Sequence, residues 1–354
     1  MSSADFVNEL IHSIVQDMER HQRLRSDINH KNTAEWINVS KEVQEHRRQE
    51  IEKLLHSSME VFKFEARVVR VDGPANVFGD IHGNLADLMI FEKHFWSQSN
   101  PANLVFLGDY VDRGHQSVEV YLLLLSLKAK HGKKFTLLRG NHESGEVHLM
   151  FDFKKECQEK FGKFGNEMWH CFCETMDVMP FAAVVGGATF CAHGGIPTSI
   201  TRIENLNSLL VDMPDPEKEA PAAWQVLWND PAKQSDIKHA RQILAKNSDN
   251  KKTKREDFDR GFIPNLKRGT AFMFSELAVN NFLRENGLTH VIRAHEVVQE
   301  GFRFDFDNCW TVFSSSHYCG MTNKAGCITI KDGHLIPLQI KTHDKHEMHS
   351  HNKK

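Results

Sequence analysis

The chain has 354 residues, of which 40% are hydrophobic and 26% are charged, and its formal net charge is −3. These values predict a soluble globular protein of one large or two small domains, and they argue against nucleic-acid binding driven by bulk electrostatic attraction. Seven cysteines without zinc-like CxxC spacing and an N terminus without an apolar signal predict a cytoplasmic or nuclear protein. The longest apolar run, YLLLLSLKA, is too short to span a bilayer.

Residues 1–65 predict a helical segment that packs on the rest of the chain. Its apolar residues recur at helical spacing, at Phe6, Leu10, Ile11, Ile14, Val15 and Met18. From residue 66, β-rich runs alternate with helical patterns, and the runs are ANVF, NLVFL, KFTLL, ATFCA, HVIRA and WTVFSS. This alternation predicts an α/β fold for residues 66–341, with helices flanking the strands. Near the end, CITIKDGHLIPLQI predicts a hairpin that turns at Asp332 and Gly333.

Two polar segments differ from their surroundings in composition. Residues 232–262 are rich in Lys, Arg, Asp, Ser and Asn, which predicts a charged surface insertion. This insertion is interpreted as solvated surface, with a regulatory or docking role as the alternative. Residues 342–354 predict a disordered, histidine-rich tail, which could also pick up metal adventitiously.

Polar side chains follow five of the predicted strands at the point where each strand ends. They are Asp80, His82, Asp109, Asn141, His193 and His295. Because ligands of open α/β sheets bind beyond the carboxyl ends of the strands, we expect these side chains to meet at one rim. Carboxylates, one amide oxygen and imidazoles suit Mn, Fe, Zn or Co. Six such ligands are too many for one catalytic ion and suit two ions that share a bridging carboxylate.

Each of these motifs alone has an ordinary structural explanation. A Gly-Asp turn after a strand is common, GDYVDRG could hold a simple Asp–Arg pair, and a lone histidine after a strand is more often structural than a ligand. Five such strand ends in one chain are hard to ascribe to turn chemistry. The sequence therefore favours a metal site.

Eight motifs spread across residues 50–340, and they are GDIHGN, GDYVDRG, LLRGNHES, AHGG, LWNDP, KRGTAF, IRAHEVVQEGF and HYCG. In their combination the chain resembles the catalytic subunits of metal-dependent serine/threonine protein phosphatases, the group containing type-1, type-2A and calcineurin enzymes. The resemblance implies a calcineurin-like metallophosphoesterase fold, with a central β-sandwich of mixed sheets flanked by helices. It also implies hydrolysis of phosphoserine and phosphothreonine in protein substrates, with regulatory or targeting subunits as partners.

The resemblance assigns the metal ligands to two ions. The first ion would bind Asp80, His82 and Asp109, and the second would bind Asp109, Asn141, His193 and His295. A water or hydroxide activated between the ions would attack phosphorus directly, without a phosphoenzyme. Manganese is the expected metal in vitro, and iron and zinc are alternatives.

The resemblance also assigns the catalytic acid and its support. His142 would be the general acid, and Asp112 would accept its other N–H, which fixes the tautomer. Asp230 is interpreted either as a supporting acid or as a loop cap. Arg139 is interpreted as a structural or supporting residue.

The substrate phosphate would meet four residues in this interpretation, namely Arg113, Arg268, Asn141 and Tyr318. The two guanidinium groups match the phosphate clamps of the family, because a planar fork suits two oxygens at once. Tyr318, in HYCG, should border the same site.

Some residues depart from the family pattern, although none of them is a predicted ligand. Ser315, Ser316 and His317 stand where Ala-Pro-Asn is usual, Ser275 replaces a common glycine, and Lys324 replaces an uncharged or acidic residue. These changes leave substrate preference and toxin sensitivity open. The docking and carboxyl-terminal signatures of the three named enzyme types are absent, so the subfamily is not assigned.

Other functional classes fit the sequence less well. A cysteine-dependent tyrosine phosphatase would need an arginine where HCFCETMD has Asp177. Purple acid phosphatases, nucleases and dinucleotide hydrolases are closer, but several of them carry GHxH, whereas Glu296 and Val297 follow His295 here. A non-catalytic scaffold would be signalled by a lost ligand or by the loss of His142, and none is lost.

Overall fold

The computed structural model describes residues 1–20, 33–97, 102–199, 201–246 and 256–340. The predicted tail at 342–354 lies outside the described residues. The helices named below are α1 (Ser3–Arg20), α2 (Thr33–Ile37), α3 (Lys41–Phe64), α4 (Leu85–Phe95), α5 (Ser117–His131), α6 (Gly145–Met150), α7 (Phe153–Phe161), α8 (Gly165–Asp177), α9 (Pro216–Glu219), α10 (Pro221–Trp228), α11 (Gln234–Lys246) and α12 (Glu276–Asn286). The strands are β1 (Val68–Val71), β2 (Ala75–Phe78), β3 (Asn103–Phe106), β4 (Phe135–Leu137), β5 (Ala182–Val185), β6 (Thr189–Ala192), β7 (Asp230–Pro231), β8 (Phe262–Pro264), β9 (Phe272–Phe274), β10 (His290–Arg293), β11 (Phe302–Phe306), β12 (Cys309–Val312), β13 (Ala325–Lys331) and β14 (His334–Ile340).

Two mixed sheets form the centre of the molecule. One has the strand order β1-β5-β6-β10-β12-β11, and the other has the order β14-β13-β2-β3-β4. Their facing side chains share one buried cluster, to which Val77 and Val105 contribute from one sheet and Ile292 and Val312 from the other. A small third sheet has the order β7-β9-β8. The predicted α/β architecture, a sandwich of mixed sheets flanked by helices, is confirmed.

The N-terminal helices belong to the same hydrophobic core as the first strands. In α1 the predicted apolar stripe is buried from Leu10 to Met18, Val7 is buried as well, and Phe6 packs at the edge of the core. Helix α5 is buried around nearly its whole circumference, which explains why its sequence is apolar on every side. Helices α1 and α3 therefore cover α5 and shield it from water.

The predicted hairpin forms at the end of the described chain. Strands β13 and β14 pair antiparallel, with Lys331 opposite His334. Asp332 and Gly333 between them have positive φ angles of 51° and 77°, as a two-residue type I′ turn requires. In the described ranges, every helix is too short or too polar to cross a bilayer.

The predicted insertion contains more regular structure than its composition suggested. Helix α11 occupies the first half of the segment and residue 262 already belongs to β8, while 247–255 lies outside the described residues. Ile237, Ala240 and Phe258 pack against buried Ala232 and Met273 in a separate small cluster. These few apolar residues anchor α11 to the third sheet. The prediction missed this packing because it rested on the high charge content of the segment.

Candidate metal centre

The predicted site residues converge where strands of both central sheets end. Strands β2, β3 and β4 run parallel and so do β6 and β10, so the loops that follow them meet at one edge of the sandwich. The meeting point is a cavity of about 340 Å³, and the predicted residues that line it are Asp80, His82, Asp109, Arg113, Asn141, His142, Arg268, His295 and Tyr318. Asp112 and His193 are fully buried behind its wall.

The loops after β3 and β4 approach each other backbone to backbone. A side chain at Gly108, whose φ is 106°, would place its Cβ 2.2 Å from the backbone nitrogen of Gly140. A Cβ at Gly140 would lie 2.3 Å from Oδ1 of Asp109. Glycine is therefore required at both positions for Asp109 and Asn141 to reach the same point.

Backbone strain concentrates at this site. Nine residues other than glycine have positive φ in the described chain, and five of them are predicted site residues, namely His82, Asp109, Asp112, Arg113 and His295. Such conformations cost free energy in residues with a Cβ and persist only where the surroundings impose them. The loops hold these side chains in positions that a relaxed backbone would not give them.

The first group of donor atoms is centred on His82. Its Nε2 lies 3.6 Å from Oδ2 of Asp80 and 3.4 Å from Oδ2 of Asp109, while its Nδ1 donates a hydrogen bond to the carbonyl of Val111 at 2.9 Å. Burial lowers the pKa of His82, but the hydrogen bond to Asp80 and the charges of both carboxylates outweigh it and raise the pKa to about 9. The carboxylates thus favour positive charge at this point.

The second group surrounds Nε2 of His193. This nitrogen lies 2.8 Å from Oδ1 of Asn141, 3.1 Å from Nδ1 of His295 and 3.3 Å from Oδ1 of Asp109. The other ring nitrogen of His193 donates to the carbonyl of Leu107, so in the neutral ring Nε2 carries a lone pair. Three potential acceptors therefore lie within 3.3 Å of a fourth, Nε2 of His193.

These donor groups fit two divalent cations. The second group brings several lone pairs together, and they cannot all be satisfied by each other. Asp109 contributes one oxygen to each group, as a bridging carboxylate would, and all the donors are oxygen or imidazole nitrogen. The remaining nitrogen of His295, Nε2, is buried without a hydrogen-bond partner, which leaves Nδ1 as the atom facing the group.

Backbone amides fix the carboxylates in these orientations. The N–H of His142 donates to Oδ1 of Asp109 at 2.9 Å, and the N–H of His295 donates to Oδ1 of Asp80 at 2.8 Å. Each aspartate is thus held by a loop from another strand. The donor groups are consequently part of the backbone hydrogen-bond network and not a chance meeting of mobile side chains.

His142 lies beside the first donor group and is oriented by a buried carboxylate. Its Nδ1 lies 2.8 Å from Oδ2 of Asp112, and the N–H of Phe153 donates to the other oxygen of Asp112 at 2.9 Å. The imidazole ring meets the ring of His82 edge-on, with 4.8 Å between centroids. One nitrogen of His142 therefore remains available to the cavity.

The two predicted phosphate arginines lie at the cavity but are held differently. Arg268 Nε donates to Oδ2 of Asp230 at 3.0 Å, and one terminal nitrogen donates to the carbonyl of His295 at 3.0 Å. The guanidinium of Arg113 lies over the ring of Phe151, with 4.1 Å from Cζ to the ring centroid. Asp230 therefore supports Arg268 through an ion pair, which favours the interpretation as a supporting acid over a simple loop cap.

Tyr318 closes another side of the cavity. Its ring lies 5.0 Å from that of His82 at an interplanar angle of 30°, and burial raises the pKa of its hydroxyl. The flanking residues His317 and Cys319 have positive φ angles. Ser316, one of the departures from the family pattern, donates its backbone N–H to Oδ2 of Asp87 at 2.6 Å, and this contact fixes the loop that carries Tyr318.

Two supporting residues were missed by sequence reasoning. Glu143 accepts hydrogen bonds from the backbone N–H groups of Asp109, Tyr110 and Gly140 at 2.7–2.8 Å, and so ties the β3 and β4 loops together. Arg293, fully buried, donates to Oδ1 of Asp230 at 2.7 Å. A charged residue inside or directly after an apolar strand run was the signal available for both.

Arg139, interpreted from the sequence as structural or supporting, is fully buried away from the cavity. It donates to the carbonyls of Glu143 and Met213 and forms an ion pair with Asp177 at 2.9 Å. These contacts stabilise the loop that carries Asn141 and His142. Arg139 therefore supports the site by fixing the backbone of this loop and does not line the cavity.

The chain is similar to known proteins in sequence and in structure. The model of calcineurin-like phosphoesterases matches residues 74–299. A protein serine/threonine phosphatase from Saccharomyces cerevisiae is similar in structure, with a TM-score of 0.69, 24% sequence identity, and coverage of 84% of this chain and 91% of that chain. A cold-active protein-tyrosine phosphatase from a psychrophilic Shewanella has a TM-score of 0.47 and 18% identity, covering 77% of this chain and 80% of that chain. Since the matched region contains every strand end that supplies a donor atom, from β2 to β10, the chain belongs to the family of calcineurin-like phosphoesterases.

Proposed function

We propose that this chain is a metal-dependent phosphatase that hydrolyses phosphoserine and phosphothreonine in proteins. The observation that carries the proposal is the pair of His142 and Asp112, whose facing atoms lie 2.8 Å apart directly beside the donor groups. Serine and threonine alkoxides are poor leaving groups, so their release needs a positioned proton donor. This requirement is weaker for phenolic or diester substrates with better leaving groups.

The donor groups divide between two ions in the proposal. One would bind Asp80, His82 and Asp109, and the other would bind Asp109, Asn141, His193 and His295. When bound, the ions supply Lewis acidity that polarises a phosphoryl oxygen and makes water nucleophilic near neutral pH.

The protein's own residues then bind the phosphoryl group and move the proton. Arg113 and Arg268 offer N–H groups to its oxygens in the cavity, which Tyr318 also lines. His142 donates the proton on the nitrogen that faces the cavity to the departing oxygen. Asp112 stabilises the protonated imidazole during this step, because its carboxylate accepts the N–H of the other ring nitrogen.

Rates on matched substrates test the proposal. The manganese-loaded protein should hydrolyse phosphoserine and phosphothreonine peptides faster than a phosphodiester such as bis(4-nitrophenyl) phosphate. Faster turnover of the diester would favour another class of two-metal phosphoesterase. Bound metal without turnover of either substrate would favour a non-catalytic scaffold. His193→Ala is the control for metal dependence, because it removes the nitrogen at the centre of the second donor group.

A further inference from the structure

Arg113 has an unusual environment for a phosphate-binding arginine. Arg113 is exposed, and within the described ranges its guanidinium forms no hydrogen bond or ion pair. The contact that locates the group is the face of Phe151, 4.1 Å from Cζ. Arg268, in contrast, is fixed by an ion pair with Asp230 and by the carbonyl of His295.

The same aromatic ring also contacts the proposed general acid. The centroids of Phe151 and His142 are 4.8 Å apart, at an interplanar angle of 42°. Phe151 is half-buried and lines the cavity together with both of its partners. One side chain thus contacts a residue that would bind the phosphate and a residue that would release the product.

Phe151 is itself held in a well-anchored corner between α6 and α7. Two residues further along the chain, Phe153 donates its N–H to Asp112 at 2.9 Å. On the other side, His148 donates its Nε2–H to the carbonyl of His142 at 2.7 Å and accepts a hydrogen bond from Trp169 at 3.2 Å. The corner is therefore bonded to the backbone and side chains of the active-site loops.

We propose that Phe151 is a positioning residue that orients the guanidinium of Arg113 toward the phosphoryl group. The inference rests on the proposed function for the role of Arg113. An exposed arginine has many rotamers, and selecting one before the substrate arrives lowers the entropic cost of binding. The ring supplies this selection through its negative face and its packing area.

An aromatic anchor also preserves the binding capacity of the arginine. A carboxylate partner would occupy N–H donors and offset the positive charge, as Asp230 does for Arg268. A ring face occupies none of the five N–H donors of Arg113, so all of them stay available to phosphoryl oxygens. Arg113 would therefore offer its full positive charge to the substrate, whereas Asp230 partly offsets the charge of Arg268.

Direct binding of inorganic phosphate tests the inference without catalysis. Isothermal titration of the manganese-loaded full chain would be carried out for the wild type, Phe151→Leu, Arg113→Ala and the double variant. Phe151→Leu should weaken phosphate binding roughly two- to fivefold, the size of a cation–π contact at an exposed site. In the Arg113→Ala background, the same change should have no further effect, because the group to be positioned is gone.

Two controls separate positioning from general packing. Phe151→Tyr keeps the ring face and should retain the wild-type affinity for phosphate. Met150→Leu alters an exposed neighbour and should leave the affinity unchanged. If Phe151→Leu does not fold, as judged by thermal unfolding and metal content, Phe151→Met replaces it. An equal loss of affinity in both Arg113 backgrounds, or a loss in Phe151→Tyr, would overturn the inference.

This experiment also distinguishes the inference from the proposed function. If phosphate binding shows the expected dependence on Arg113 but phosphopeptides are not hydrolysed, the positioning role stands and the proposed substrate class is wrong. If phosphopeptides are hydrolysed while Phe151→Leu binds phosphate as the wild type does, the function stands and the positioning role is wrong.

Discussion

His142 and Asp112 form a buried pair in which the histidine Nδ1 lies 2.8 Å from a carboxylate oxygen. The side chain of Asp112 is inaccessible to solvent, and its second oxygen accepts the backbone N–H of Phe153. The carboxylate therefore cannot turn away from the imidazole. In the proposed mechanism, this geometry would fix the direction in which His142 gives up its proton.

We expect His142→Ala to lower kcat on a phosphoserine peptide by about 10²–10⁴-fold, the range for loss of general-acid assistance. The loss on 4-nitrophenyl phosphate should be smaller, since that phenolate leaves without a proton. Steady-state rates on both substrates with saturating manganese provide the measurement. His148→Asn is the control for packing effects, because this buried histidine forms hydrogen bonds with the backbone carbonyl of His142 and with Trp169 but not with the side chain of His142. Equal losses on the two substrates would contradict an acid role.

A second prediction concerns metal content. Asp109 directs one oxygen toward each donor group, whereas Asp80 faces only the first. Asp109→Asn should therefore weaken the binding of both ions, and Asp80→Asn should weaken mainly one. Elemental analysis after dialysis against a limiting metal buffer would show the difference. Similar metal contents for the two variants would mean that Asp109 does not bridge.

The strand ends that carry the donor atoms were predictable from sequence for a clear physical reason. Short apolar runs such as Ala75–Phe78 and Asn103–Phe106 form buried parallel strands, and parallel neighbours end at the same edge of a sheet. A polar residue directly after such a run must lie at that edge. The positions of Asp80 and Asp109 in one cavity follow from this rule alone.

The supporting contacts were not predictable because they join residues far apart in the chain. Ser316 reaches Asp87 across 229 residues, and Arg293 reaches Asp230 across 63. Neither pair produces a periodicity or a local motif. The ring contact between Phe151 and Arg113 likewise joins separate loops, and no local sequence pattern specifies it.

The ion pair between Asp230 and Arg293 leads to a prediction about stability. Both side chains are buried, and Asp230 also holds Arg268. Asp230→Asn would leave buried arginine charge partly uncompensated, so the free energy of unfolding should fall by about 3 kcal/mol. The KM for a phosphopeptide should rise as well, because Arg268 loses its anchor.

Urea unfolding and steady-state kinetics provide the two measurements for Asp230→Asn. Glu300→Gln is the matched control: it removes the exposed pair with Lys324 and should lower the free energy of unfolding far less than Asp230→Asn does, because exposed pairs contribute little. A loss of stability in Asp230→Asn no larger than that of the control would contradict the structural argument.

Asp87 provides a prediction about pH. Burial raises its pKa from 3.8 to about 6, although hydrogen bonds from Ser316 and Asn84 oppose the shift. Between these two values the folded chain holds a proton that the unfolded chain has released, so the contribution of Asp87 to stability falls as pH rises from about 4 to 6. Asp87→Asn lacks this titration. The free energy of unfolding of the variant relative to the wild type should therefore increase by on the order of 3 kcal/mol between pH 4 and pH 7.

Urea unfolding of both proteins across this pH range would check the prediction, with Asp72→Asn as a control at an exposed carboxylate. A difference that does not change with pH would show that the carboxyl group of Asp87 does not titrate in this window.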